Sequence, residues 1–190
     1  MADKPYHHGN LRAALLTAAE AELTEAGVEG FSLRSVARRA GVSHAAPKHH
    51  FGDTAGLLTA LAAEGFRAFV AAQTAREAQA GDGAAEKLMA SGLGYVDFAC
   101  ARPALFRLIF TSRRIDESSD ELVDAGSAAY MHLANGVMAM GGREGDIAAF
   151  WATAHGLAEL MMSGRLAQIA DLPEGERDAA LGTILRRAMP

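Results

Sequence analysis

The chain has 190 residues, half of them hydrophobic, which is enough to bury a substantial core. Its single cysteine, Cys100, excludes an intramolecular disulfide and a cysteine-based zinc site, and fits a reducing cytoplasm. The net charge of −5 does not by itself favour nucleic acid; the first eight residues lack a secretory apolar run, and no uninterrupted apolar stretch reaches the ~18 residues of a membrane span, so no membrane partner is expected.

Apolar spacings of three and four recur along the whole chain, and no period-2 strand of useful length is present, so the fold class is all-α. Asn10 can cap a helix from about Leu11 to Ala26, with Leu15, Ala19 and Leu23 on its inner face and Gly27 to stop it. Ser32 caps a second helix whose inner stripe is Leu33, Val36, Ala37 and Ala40. Gly41-Val42-Ser43 makes a tight turn, and Ser43 can cap a third helix that ends near His50. Asp53 caps a fourth, carrying Leu57, Leu58 and Leu61, that runs on to a break at Gly81-Asp82-Gly83. Further helices are expected at about 84–101, 104–110, 117–140 and 146–169, and one from Pro173 to Leu185.

Charge is unevenly distributed. Up to Gly52 there are six basic and five acidic side chains, so the remainder carries a net −6. From Phe31 to Gly52 the chain has Arg34, Arg38, Arg39, Lys48 and three histidines, and no carboxylate. An ordinary solvated face mixes both signs, whereas an acid-free basic segment in an acidic protein is what a phosphate-facing surface requires. The segment SLRSVARRAGVSHAAPKHHF has the layout of two short helices around a glycine turn. Ala37 is small where the helices cross, Val36, Ala40 and Val42 form the seam, and Arg34, Arg38, Arg39, His44, Lys48 and His49 stay outside. The second helix is the size of one that enters the major groove and meets base edges with its first turn.

Together, His8-Gly9-Asn10-Leu11-Arg12, the Ser-Leu-Arg-x-Val-Ala-Arg-Arg-Ala-Gly-Val-Ser run and His50-Phe51 resemble the DNA-binding domain of the TetR family of transcriptional regulators, over about His8 to Leu61. The resemblance implies a three-helix N-terminal domain with a helix-turn-helix at 1–52, extending into the helix that starts near 53. It also implies a larger helical effector-binding and dimerisation domain at 53–190. The expected protein is a homodimeric repressor of near-palindromic double-stranded operator DNA, modulated by an unidentified small-molecule effector, with no cofactor. Arg34, His44 and Ala45 are the candidates for base contacts. Ser43, Lys48 and His49 are those for backbone or mixed contacts, and Ser32 completes the DNA-binding set. Lys48 stands where the family commonly has a phosphate-touching tyrosine, and Thr54 where it commonly has a lysine, so positive charge has moved into the recognition helix. Pro47 lacks an N–H and suits only the first turn of that helix.

The runs Pro103–Phe110 and Trp151–Leu157 resemble the subgroup of that family named for a Trp-His-Gly signature. Phe98, Phe106, Phe110, Tyr130, Trp151 and His155 are bulky, fall on several predicted helices, and are the expected ligand-binding residues. For the dimer, the last two helices are expected to pair with their copies, with Ala152, Gly156 and Gly164 allowing close approach and Leu160, Leu181 and Leu185 supplying apolar contact. Neither adjacent histidine pair, 7–8 or 49–50, has a carboxylate or thiol at ligand spacing, so no metal is expected. His155 and Glu159 share a helix face, but no nucleophile motif accompanies them and no catalytic residue is assigned. A constitutive DNA binder without a ligand site and a small helical enzyme are the competing classes. The helix-turn-helix speaks against the second, and about 110 further residues against the first.

Overall fold

The computed structural model describes the backbone from His8 to Pro190 and the side chains from Leu11 onward. The described residues form α-helices without a strand: α1 (His8–Gly30), α2 (Leu33–Ala40), α3 (Ala46–Phe51), α4 (Thr54–Glu77), α5 (Ala84–Ala101), α6 (Pro103–Thr111), α7 (Asp120–Met138), α8 (Glu144–Met162), α9 (Ala167–Ala170) and α10 (Glu174–Arg186). The expected Asn10 cap lies outside the described side chains.

By packing, the chain forms two compact units. The first holds residues up to Gly65 together with Ala104–Asp124; the second holds Phe66–Pro103 and Ala125–Pro190. Both α4 and α7 contribute to each. In the first unit, Leu15, Leu23, Val36, Leu57, Leu58 and Phe106 are almost wholly buried. α6 belongs here: a Cβ on Gly65 would lie 2.8 Å from Ile109 and 3.0 Å from Leu105. The linker after α6 is tied in as well, since Arg114 donates to the Val28 carbonyl at 2.7 Å and the Asp116 N–H to the Thr59 hydroxyl at 2.8 Å.

In the second unit α5 packs on α8 and α10 around Leu88, Phe98, Phe150, Leu181 and Leu185. Leu181 and Leu185 are 2% and 0% exposed and so fill this unit's own core; they do not supply the dimer contact expected of them. α4 is long and apolar enough to cross a bilayer by length and composition alone, but Leu57, Leu58, Leu61, Ala62, Ala63 and Phe69 are buried among neighbouring helices.

Three boundaries differ from expectation for local reasons. The chain passes through Gly27 at φ 66°, ψ 178° and then resumes a turn of helix to Gly30. Pro103 opens α6 instead of merely ending α5, because a first-turn residue needs no N–H donor. The helix expected to reach Ile169 stops at Met162: Gly164 adopts φ 71°, so it terminates α8 and is not a close-approach position within it.

Candidate nucleic-acid interface

The helix-turn-helix is built as its residues dictate. The Ser32 hydroxyl accepts from the Ser35 N–H at 3.2 Å and caps α2. Val36 and Ala37 are fully buried. Gly41 sits at φ 67°, ψ 31°, a left-handed conformation costly for residues with a Cβ, and lets Val42 N–H reach the Ala37 carbonyl at 3.0 Å. Ser43 is not the expected side-chain cap of α3. Ala45, in helical geometry, holds the N-cap position, and Ser43 instead offers its carbonyl to Ala46 N–H at 3.0 Å. Pro47 is buried in the first turn of this six-residue helix. Its placement leaves Ser43, His44 and Ala45 at the exposed start and Lys48 and His49 on the exposed side.

Arg34, Ser43, His44, Ala45, Lys48 and His49 are therefore all exposed, and Ser32 is half-buried at its cap. Arg39, expected outside with them, is tied to α1: its guanidinium pairs with Glu22 at 3.2 Å and with Glu25. The Arg39 contacts hold the Glu25 carboxyl below its ordinary range. Arg12 was part of a sequence hallmark without an assigned task. It lies over the Phe51 ring, 5.7 Å from its centroid, and binds both oxygens of Glu121 at 3.0 and 2.9 Å.

The expected ligand-binding residues divide between the units. Phe106 and Phe110 meet in the first with tilted rings, centroids 4.8 Å apart. The other four lie in the second. There, Tyr95 OH lies 2.7 Å from His155 Nδ1 and accepts from Trp151 Nε1–H at 3.3 Å. The Trp151 ring meets Tyr130 at 6.5 Å, and both are 40% or more exposed. Phe98 is buried and reaches this group through Phe69, whose ring lies 5.4 Å from it and 4.7 Å from Tyr95. Burial pushes the His155 imidazole below its ordinary pKa, against the opposing pull of Glu159, and pushes the Tyr95 phenol up. Tyr95 carried no sequence signal, because a lone tyrosine on an apolar helix reads as core.

Two further clusters emerge only from packing. Ser91 Oγ donates to Gln73 Oε1 at 3.0 Å and lies 3.4 Å from His132 Nε2, which is 2.8 Å from Glu77 Oε1. Serine and carboxylate meet the same ring nitrogen, so the histidine cannot relay a proton between them as in a hydrolytic triad. Arg76 joins α4 to α5 and α10 through Asp97 and Asp178, each at 2.7 Å, and its pKa rises chiefly through the Asp97 bond. Beside it a cleft of about 640 Å³ is lined by Val96, Cys100, Met161, Met162 and Arg177 among others. Among the described residues no group of three or more histidine, cysteine or carboxylate side chains is placed to hold a metal.

An exposed helix-turn-helix at the N-terminus, with a larger helical unit supplying most of the remaining chain, defines the helix-turn-helix class of bacterial regulators. The pattern described as bacterial regulatory proteins of the tetR family matches residues 15–61, and that of the tetracyclin repressor-like C-terminal domain matches residues 88–184. A Rhodococcus sp. RHA1 protein of unknown function is 37% identical over 97% of this chain and 98% of its own, with a TM-score of 0.77. A putative tetR family transcription regulator from Shewanella sp. PV-4 shares the fold at TM-score 0.71 and 22% identity, over 94% of this chain and 97% of its own. The HTH-type transcriptional regulator BetI of Burkholderia mallei is 42% identical over 79 residues, which span 42% of this chain and 40% of that regulator. The chain belongs to the TetR family of bacterial regulatory proteins, which are transcription regulators and not enzymes.

Proposed function

We propose that the protein represses transcription by binding a near-palindromic operator as a homodimer in the cytoplasm, and that a small-molecule effector modulates this binding. The observation that carries the reading is the helix-turn-helix itself, acid-free from Phe31 to Gly52, with Arg34, Ser43, His44, Ala45, Lys48 and His49 all exposed. Residues 1–52, with the start of α4, form the DNA-binding domain, and 53–190 form the effector and dimerisation domain. Two recognition helices related by a two-fold axis read two half-sites about one or more helical turns apart.

The dimer face is the outer stripe of α8. Ala152, Gly156 and Leu160 recur there at helical spacing, Leu160 is 40% exposed, and a Cβ on Gly156 would meet no atom within 4 Å. The effector site is in the second unit, with Tyr130, Trp151 and His155 as its polar and aromatic contacts. The same Trp151-His155-Gly156 signature supports the subgroup resemblance. An effector acts only by binding one dimer geometry better than the other.

The test is cyclic selection of duplexes from a random library with the full chain, followed by binding and light scattering. The reading expects enriched sites with two-fold symmetry, bound by two copies. Enrichment of no sequence would refute it, and enrichment of asymmetric single sites would refute the dimer.

A further inference from the structure

The helix that would read DNA has little stability of its own. α3 has six residues and no side-chain cap, and an isolated helix of that length does not persist in water. Its pose therefore depends on what holds its two ends. At the start Pro47 is buried. At the finish stands Phe51, followed by Gly52 at φ 78° and by Asp53, whose carboxylate accepts the Gly56 N–H at 2.9 Å to start α4.

Phe51 is covered by the Arg12 guanidinium, which is itself held by three elements at once. It projects from α1, donates from Nη2 to both carboxylate oxygens of Glu121 in the first turn of α7, and its Nη1 lies 3.7 Å from Glu64 on α4. All of these residues belong to the first compact unit. A planar guanidinium held on one carboxylate through Nη2 and beside a second through Nη1 has a restricted plane, and here it lies over the Phe51 ring. Side chains of Arg12 and Glu121 are each 37% exposed, so the pair adds little to global stability, and its consequence is geometric.

We propose that Arg12 and Glu121 form a clamp on Phe51 that sets the angle of the recognition helix, and that through this clamp α7 holds operator affinity. Arg12 is a positioning residue: it acts on DNA through Phe51. Glu121 stands in the first turn of α7, so the position of that turn sets how the guanidinium meets Phe51.

The inference rests on the DNA-binding reading above, and its test separates the two. The probes are the duplex enriched by the unmodified full chain and calf-thymus DNA as the non-specific reference. Arg12→Lys keeps the charge but has no planar group to lie over Phe51 and no second nitrogen to face Glu64 while the first bonds Glu121. It is expected to weaken binding to the selected duplex by roughly 5- to 20-fold, with calf-thymus affinity unchanged. Glu121→Gln removes a carboxylate from an acidic protein, so simple electrostatics predicts tighter binding to both DNAs. The clamp predicts the opposite sign on the selected duplex only. In the double variant the two losses should not add, because each breaks the same joint.

The melting temperature of each variant, measured alongside, should stay within a few degrees of the parent. Failure of the unmodified chain to enrich any duplex would overturn the DNA-binding reading and the clamp with it. Given enrichment, additive losses would overturn the clamp alone, as would parallel losses on both DNAs, a Glu121→Gln gain on both, or a loss that tracks melting.

Discussion

The Tyr95 hydroxyl lies 2.7 Å from Nδ1 of His155 while accepting a hydrogen bond from Trp151 Nε1–H. With Nδ1 unprotonated, the Tyr95 hydroxyl donates to it while accepting from the indole. Burial depresses the His155 pKa, with Glu159 as the opposing charge.

The sign of the pH dependence follows. The folded pKa of His155 lies below its unfolded value, so its contribution to stability is complete above the ordinary histidine range near 6.5 and is lost as pH falls through the lower folded value. Melting temperature measured from pH 7.5 to 5 should fall less for His155→Asn than for the parent, since asparagine can still accept from Tyr95 and does not titrate. Identical acid profiles would remove His155 from this account.

Lys48 is exposed on α3 and takes the place of a neutral residue common in the family. Lys48→Ala should weaken binding to all duplexes and reduce the slope of log affinity against log salt by roughly one. An unchanged slope would remove Lys48 from the phosphate contacts.

Arg39 is expected to behave differently despite lying in the same basic run. It is bound to Glu22, whose side chain is 8% exposed, and to Glu25. Arg39→Ala should lower the melting temperature, because it leaves the Glu22 carboxylate buried without its cation, and should leave the salt slope of DNA binding unchanged. A reduced slope at constant melting temperature would return Arg39 to the DNA-facing set.

Gly94 marks where α5 approaches α4. A Cβ there would stand 2.7 Å from Gln73 Cα and 2.9 Å from the Ala72 carbonyl, which are backbone atoms and cannot swing aside. Gly94→Ala should destabilise by about 1–3 kcal/mol, typical of an overpacked core, despite the better helix propensity of alanine. Chemical denaturation would read this as a lower midpoint, and a raised midpoint would contradict the close approach.

Leu160→Asp tests the dimer face with little risk to the fold, because Leu160 is 40% exposed within the chain. Light scattering at micromolar concentration should give a monomer with an unchanged helical circular dichroism spectrum. A dimer of unchanged stability would place the interface elsewhere.

Local chemistry was legible in the sequence. The all-α class followed from apolar spacing, the Ser32 cap from a hydroxyl before a helical stripe, and the left-handed turn from Gly41 between two such stripes. The exposed set on the helix-turn-helix was legible for the same reason: outward positions are fixed by helical period once the inner stripe is known. The divided fate of the basic run was not. Arg34 and Arg39 look alike in the sequence, and only the crossing of α1 and α2 brings Glu22 and Glu25 to one of them.

Long-range pairing was decided by tertiary structure alone. Nothing local links Arg12 to Glu121, 109 residues apart, or predicts that Tyr95 completes a hydrogen-bonded group with Trp151 and His155. Leu160, Leu181 and Leu185 are the same residue in similar helical contexts. Yet the first faces outward and the others fill a core, where the missing Cβ of Gly92 leaves room for Leu185 and Phe150. Periodicity fixes which residues share a helix face, but not what that face meets. That is settled by close packing among side chains distant in sequence, where one missing Cβ or one placed carboxylate determines the partner.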